Sequence, residues 1–373
     1  MAFIVATSVG FPPYYYPQEM LASALRKYCL AMELDFDLDS IDRFFTNVAI
    51  KGRYFALPLD SFYEPPALGE TLNKTIEAAV NLAEGTVRSL LEQTAFDPKN
   101  VSQLTSVTVT PAIPAIDARL MNQIAFSPNL KRMPLGGVGC MGGALGLSRV
   151  ADYLQGHFTE AAILLTVELS SALWQGSLQR DLYSLICRLS AEPSLYSDII
   201  MAIVTAALFA DGAGAALIVG RDHPLVQPGQ PQVIATRSVL LPDTLHLMGL
   251  DTLDTGFRNI LKPEVADFVK VGLRQAIDPL LAEHDLSVDK ISYWIVHPGG
   301  PKIMTAVEEE FGLDDRALWL SREALAQVGN ISSVTVLYML NKILSGAQPS
   351  PGSYGLIVAM GPGFAQEVIL LQW

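Results

Sequence analysis

Apolar positions along the chain fall into two recurring patterns. Short β-branched or apolar runs occur at Phe3–Ala6, Ser106–Thr110, Ala162–Val167, Ala215–Val219, Tyr293–Val296 and Gly355–Ala359. Runs of this kind predict buried strands. Between them, Leu72–Leu91, Gly143–Gln155, Val265–Glu283, Lys302–Phe311 and Val334–Leu344 carry apolar residues at three- and four-residue spacing and predict helices. The alternation predicts an α/β chain with helices on both sides of its sheets. The longest strongly apolar run, Ile199–Ala210, is closed by Asp198 and Asp211. It falls well short of the roughly 20 residues a membrane-spanning helix needs, so it predicts buried core rather than a membrane span. No repeat of solenoid type is present. The stretch 221–232, RDHPLVQPGQPQ, is polar and rich in Pro and Gly, and marks a joint between residues 1–222 and 223–373. Each side holds a similar strand–helix set, as a fold built twice would.

Composition narrows the class. Of 373 residues, half are hydrophobic and 17% are charged, so the chain has material for a large core and is not disordered. A net charge of −13 without any basic run argues against a nucleic-acid partner. The opening MAFIVATSVGFPP lacks a basic stretch and meets Pro12 early, which predicts no secretory signal and a cytoplasmic location. Cys29, Cys140 and Cys187 include no CxxC pair, which argues against a disulfide scaffold or a zinc site.

Candidate chemistry begins at Gly136-Gly137-Val138-Gly139-Cys140-Met141-Gly142-Gly143-Ala144-Leu145-Gly146. The glycines permit a sharp turn and close helix packing, and the helical pattern that follows places Cys140 at a helix N-terminus. Unpaired N–H groups there favour a thiolate nucleophile. A small buried cysteine in a Gly-rich packing interface is the other reading of the same segment. Val296-His297-Pro298-Gly299-Gly300 sets a histidine at the end of an apolar run, and Gly329-Asn330-Ile331-Ser332-Ser333 sets an asparagine before a helix. Taken singly, these are a structural histidine and a turn or helix cap. His157, His223, His246 and His284 read as surface or structural.

In combination, the Cys140 segment, VHPGG at 296–300, GNISS at 329–333, LFADGAGA at 208–215 and MGPGFAQE at 360–367 resemble the thiolase superfamily. Within it they resemble the type III polyketide synthases, the chalcone and stilbene synthase family, and in particular bacterial alkylresorcinol or alkylpyrone synthases. IKGRY at 50–54 and LPDTLHLMG at 241–249 add weaker marks. The resemblance runs nearly end to end and implies a thiolase-like αβαβα layered fold with two similar halves. It implies that Cys140 takes up a starter acyl group from a coenzyme A or acyl-carrier-protein thioester, with His297 keeping the thiol anionic. His297 and Asn330 would then hold the enolate formed when malonyl-CoA loses carbon dioxide, in repeated condensations closed by cyclisation. No metal or redox cofactor is implied.

The same resemblance assigns further positions. Phe209 would stand between substrate tunnel and cavity, and Asn259 falls where plant members carry a second gatekeeping phenylalanine. Gly361, Pro362 and Gly363 would shape the cavity floor. Thr108, Glu168 and Ser332 match a water-activating hydrogen-bond network, and Leu173 replaces a small residue, against a bulky aromatic starter. Arg43, Lys51 and Arg53 are the candidate contacts for coenzyme A phosphates, while two family lysines fall on Ser40 and Asn47. Ile113-Pro114 matches a cis peptide at the interface of a homodimer. The stretch from Trp174 to Phe209 is longer than the family pattern; DLYSLICRLSAEPSLYSDIIM within it predicts a helical flap over the tunnel or the dimer surface, or a surface embellishment. Two alternatives share these residues: a ketoacyl synthase III-like enzyme making one condensation, and a catalytically silent partner subunit.

Overall fold

The structure is a computed structural model that describes residues 1–62, 67–253, 256–262, 264–346 and 349–373, leaving the side chains of 174–180 aside. Its strands are β1 (Ala2–Gly10), β2 (Tyr14–Pro17), β3 (Gly52–Phe55), β4 (Val101–Val107), β5 (Lys131–Leu135), β6 (Ala161–Leu169), β7 (Asp211–Gly220), β8 (Gln232–Leu240), β9 (Met248–Leu253), β10 (Gly256–Leu261), β11 (Ile291–Val296), β12 (Tyr354–Gly361) and β13 (Ala365–Gln372). The α-helices are α1 (Gln18–Ala31), α2 (Leu38–Asn47), α3 (Leu68–Thr94), α4 (Ile116–Leu120), α5 (Gly142–Gly156), α6 (Ser170–Leu189), α7 (Tyr196–Leu208), α8 (Val265–Ala282), α9 (Pro301–Phe311), α10 (Trp319–Val328) and α11 (Val334–Ser345).

Nine strands form one sheet in the order β11-β12-β13-β8-β1-β7-β6-β4-β5. On one side β4 runs parallel to β6, β6 antiparallel to β7, and β7 antiparallel to β1. On the other, β11 runs parallel to β12, β12 antiparallel to β13, and β13 antiparallel to β8. The same four-strand sequence of directions therefore occurs twice, with β5 added at one edge. The two sets are joined in the sheet where Ala2 and Phe3 of β1 pair with Val233 and Gln232 of β8.

Helices α5 and α11 occupy matching places in the two sets; α11 is apolar nearly all round, and α5 is buried through its first two turns. Helix α11 buries every residue from Val334 to Leu340, and α5 buries Ala144, Leu147, Val150, Ala151 and Leu154. A helix without a polar face must be covered on all sides. That happens because α5 packs on β4 and β6 and also on β12 and β13, while α11 packs on β1, β7 and β11. With α3 on one outer face and α8 on the other, the five layers of the thiolase-like fold are complete. Glycine makes the middle layer possible: a Cβ on Gly143 would lie 2.1 Å from the Ser333 carbonyl oxygen, and one on Gly146 would lie 2.5 Å from Leu164 Cδ1.

The strand expected at Ser106–Thr110 instead runs Val101–Val107. Its buried Gln103 and Thr105 break the apolar signal, and beyond Val107 the backbone turns: Thr108 Oγ1 accepts the Thr110 N–H at 3.1 Å. The polar edge strand β5, KRMPL, gives no apolar pattern at all; its Pro134 is tolerated because an edge strand can spare a donor. The run Ile199–Ala210 lies in α7 and its exit and is buried with α1 and α2. Among the described residues no helix is long and apolar enough to cross a membrane.

Candidate active site

The layered packing brings the two matching loops, one before α5 and one before α11, to the same place. Cys140 sits in a single 3₁₀ turn, Gly139–Met141, that runs directly into α5. Gly139 has φ +52°, and a Cβ there would lie 2.7 Å from Pro362 Cδ. In return, a Cβ on Gly361 would lie 2.5 Å from the Val138 carbonyl oxygen. The Gly361–Gly363 turn is thus seated on the cysteine loop.

Asn330 is fixed by its backbone and its own amide oxygen. Its N–H donates to the Leu208 carbonyl and its carbonyl accepts from Ala210, both at 3.0 Å, so Asn330 and Phe209 form a β-bridge. Asn330 Oδ1 accepts the Ser332 N–H at 2.9 Å. The Asn330 carboxamide and the Ser332 hydroxyl lie beside the Cys140 thiol and favour its ionisation. Gly329, at φ +73°, gives the loop its turn.

His297 ends β11, where its N–H donates to the Val358 carbonyl at 2.8 Å. Its side chain is 2% exposed, and both ring nitrogens are buried without a hydrogen-bond partner among the described residues. An unpaired buried donor or acceptor costs roughly 1–3 kcal/mol, so such a pair in a packed interior marks a site held ready for something else.

All three side chains line one cavity of about 360 Å³. Its remaining wall is largely apolar: Val109, Leu208, Phe209, Met248, Leu250, Leu261, Val265, Ile303, Met360 and Pro362, with Ser170, Ser332 and Asn259 as polar members. Phe209, Asn259 and Pro362 therefore stand on the cavity as the resemblance implied. Leu173 is buried at 4% exposure but is not among the lining residues.

Ionisation differs from the sequence expectation. Burial pushes the Cys140 thiol up to about 11, and the nearby Glu168 carboxylate adds to this. Burial pushes His297 down to about 4. Desolvation penalises both charges, so it works against a thiolate–imidazolium pair, opposite in direction to the thiolate the sequence predicts.

Glu168, at 0% exposure on β6, is held by the Val109 N–H at 2.9 Å, by the Ser333 hydroxyl and, at 3.4 Å, by the Ser332 hydroxyl. Of the network expected of Thr108, Glu168 and Ser332, the contact between Ser332 and Glu168 is present; Thr108 Oγ1 accepts the Thr110 N–H, and Ser333, which sequence reasoning passed over, supplies a second hydroxyl to Glu168. Ser332, at φ +52°, swings the chain so that neighbouring serines reach one carboxyl.

Burial raises the Glu168 carboxyl to about 7. The folded chain then binds this proton more tightly than the unfolded chain, so stability falls as pH climbs from about 4.5 to 7 and stays lower above. The step is about 3 kcal/mol. Glu168→Gln can keep both sets of contacts, its oxygen facing Val109 and its nitrogen facing the serines. It is expected to shrink the difference between acid and alkaline pH in denaturant unfolding by this step, leaving the part that comes from Asp211, which burial raises to about 6.

Arg53 departs from its expected role. It is 0% exposed, with Nε donating to Gln18 Oε1 at 3.0 Å and Nη1 to the Phe209 carbonyl at 2.6 Å, beside the buried Asp211. It braces the Phe209–Asn330 bridge from behind and cannot meet a phosphate in solvent. Arg53→Leu is expected to cost about 3–5 kcal/mol, the scale of leaving a buried counter-ion unpaired. Its relative preference for a coenzyme A thioester over a phosphate-free analogue is expected to be unchanged. Arg43 and Lys51 are exposed; Arg43 pairs with Asp37 at 2.8 Å. Ile113 precedes a cis Pro114 and is 94% exposed. His157 stacks on Tyr153 and makes contacts through both ring nitrogens, as a structural histidine should.

Comparison with known proteins places these features in a family. The family described as "Chalcone and stilbene synthases, C-terminal domain" matches residues 232–373, and "FAE1/Type III polyketide synthase-like protein" matches residues 38–187. A 1,3,6,8-tetrahydroxynaphthalene synthase of Streptomyces peucetius subsp. caesius is 36% identical over 99% of this chain and 93% of its own length. A putative chalcone synthase of Bacillus subtilis is 31% identical over 100% and 99%. The crystal structure of 1,3,6,8-tetrahydroxynaphthalene synthase from Streptomyces coelicolor superposes with a TM-score of 0.87, covering 100% of this chain and 99% of that one at 21% identity, which speaks to the fold alone. With a fold built twice, a shared cavity and relatives above 30% identity along its whole length, the chain belongs to the type III polyketide synthases, a family of acyltransferases.

Proposed function

We propose that the protein joins malonyl units, by repeated decarboxylative condensation, to an aliphatic acyl starter held on Cys140, and closes the product to an alkylresorcinol or alkylpyrone. The observation that carries the condensation chemistry is His297: a neutral imidazole with both nitrogens unpaired, in the same cavity as a thiol and a carboxamide. In the first step Cys140 sulfur attacks the starter thioester. The S–H proton passes through the His297 imidazole to the departing coenzyme A thiolate, and acyl-Cys140 forms. Malonyl-CoA then loses its carboxylate as carbon dioxide, and the electron pair of the broken C–C bond becomes an enolate. The His297 N–H and the Asn330 amide, which line the same cavity, would donate to that oxygen; one such donor is worth about 3–4 kcal/mol. The enolate carbon attacks the acyl thioester, a C–C bond forms as the thioester C–S bond breaks, and the departing Cys140 thiolate takes up a proton from water.

The aliphatic starter rests on the wall of Leu, Met, Val and Ile side chains, which offers an acyl chain apolar contact and few polar partners. Arg43 and Lys51 are the candidate contacts for the carrier's phosphates, and the exposed Ile113 side chain supports a homodimer. A second reading, formation of a hydroxynaphthalene without an alkyl arm, is favoured by the relative named as a tetrahydroxynaphthalene synthase. Mass spectrometry of products from malonyl-CoA alone and with a panel of acyl-CoA starters tests both. Alkyl-bearing rings support the first reading, and a hydroxynaphthalene from malonyl-CoA alone supports the second. A single-condensation product would replace both with a ketoacyl synthase III-like activity, and absence of any decarboxylation would point to a silent subunit.

A further inference from the structure

Among the described residues, strands β9 and β10 pair only with each other. A lone hairpin is marginal in water, yet this one supplies Met248, Gly249, Leu250, Asn259 and Leu261 to the cavity wall. What holds it lies on its far side. Arg258 of β10 grips Asp181 of α6 with both prongs of its guanidinium, Nε reaching Oδ2 at 2.7 Å and Nη2 reaching Oδ1. Asp198, in the first turn of α7, and Asp251 of β9 add attraction to the same cation. One side chain thus ties α6, α7, β9 and β10 together. The next residue, Asn259, donates from Nδ2 to Thr205 Oγ1 of α7 at 3.4 Å. Asn259 also separates the main cavity from a second space of about 40 Å³ bounded by Asp181, Asp198, Thr205 and Arg258. Helix α7 runs straight on into Leu208 and Phe209 at the cavity.

We propose that Arg258 and Asp181 are specificity-determining positioning residues: they lock the hairpin wall onto the α6–α7 segment and so set the longest linear acyl thioester the cavity admits. This rests on the aliphatic-starter reading above. A two-pronged guanidinium–carboxylate pair fixes direction as well as distance, which a lysine or an amide does not. Once the pair is broken, the hairpin has no other sheet partner to hold it, and the wall yields to longer chains.

The test is a series of kcat/KM values for linear acyl-CoA starters of increasing length, with melting temperatures measured alongside. The wild-type protein is expected to show a sharp cut-off. Asp181→Asn, which leaves Arg258 still facing Asp198 and Asp251, and Arg258→Lys are expected to flatten it, raising the ratio of over-long to optimal starter about tenfold or more, with kcat on the optimal starter little changed. Asp181→Glu, which keeps the carboxylate, is expected to keep the cut-off. Folded variants that retain the wild-type cut-off, or that lose activity equally on every starter, would overturn the clamp alone. A wild-type protein that accepts no alkyl starter would instead overturn the reading on which it rests.

Discussion

Cys140→Ala is expected to abolish starter uptake and product formation, a loss on the order of 10⁵–10⁶-fold, the scale of removing an enzymic nucleophile. The reason is specific to this sulfur. It is the thiol that shares the cavity with His297 and Asn330, whereas Cys29 is buried in the core against α7 and Cys187 is exposed on α6. Intact-protein mass spectrometry should show an acyl adduct on the wild-type chain and on Cys29→Ala and Cys187→Ala, and none on Cys140→Ala. Decarboxylation of malonyl-CoA needs donors for the enolate oxygen rather than the sulfur. It is therefore expected to persist in Cys140→Ala, within roughly tenfold of wild type. Extended product from Cys140→Ala would end the assignment of the nucleophile, and loss of decarboxylation together with condensation would mean that the substitution had disturbed the donors instead.

Much of this site could be read from residues alone, and the parts that could not have a common physical cause. The position of Cys140 was legible because only glycine fits where α5 meets Val107, Ser333 and Leu164, so the chemistry is announced by its packing requirement. Its ionisation was not legible. A helix N-terminus is worth about 0.3–1 kcal/mol, up to ~2, in favour of a thiolate. Burial at the floor of the cavity, with Glu168 behind, raises the thiol from 9.0 to about 11, which is about 3 kcal/mol the other way. The larger effect wins, and nothing local in the sequence reports it. Arg53 misled for a related reason. Charged residues are seldom fully buried, so a Lys-Gly-Arg stretch reads as a basic surface. Yet Gly52 lets Tyr15 lie against β3, and Arg53 points inward to Gln18 and the Phe209 carbonyl, residues distant in sequence. The clamp of Arg258 on Asp181 spans a comparable distance. Strand and helix periodicity exposes which face is apolar, but not which remote partner a buried charge will find.

His297→Ala is expected to lower kcat/KM for condensation by about 10²–10⁴-fold and, unlike Cys140→Ala, to lower malonyl-CoA decarboxylation with it. The distinction follows from what the ring does. With no carboxylate or carbonyl bonded to either nitrogen, the imidazole has only desolvation acting on it, and that takes it down to about 4. It is then neutral throughout the working range and serves the enolate as an N–H donor, with no need of a full positive charge. His297→Gln keeps an N–H of similar reach but cannot pass a proton onward, so it should recover part of the decarboxylation and little of the acylation. The sign of the pH dependence gives an independent check. Decarboxylation is measured best in Glu168→Gln, so that the carboxyl near 7 does not contribute. It should be flat from roughly pH 5.5 to 8, with any change from this ring confined to more acidic solution, where it protonates. A break near 6.5, where a solvated imidazole titrates, with activity falling on its alkaline side, would mean that substrate binding restores water or a counter-charge to the ring. The donor in the reacting complex would then be an imidazolium, and the resting geometry would not be the one that turns over.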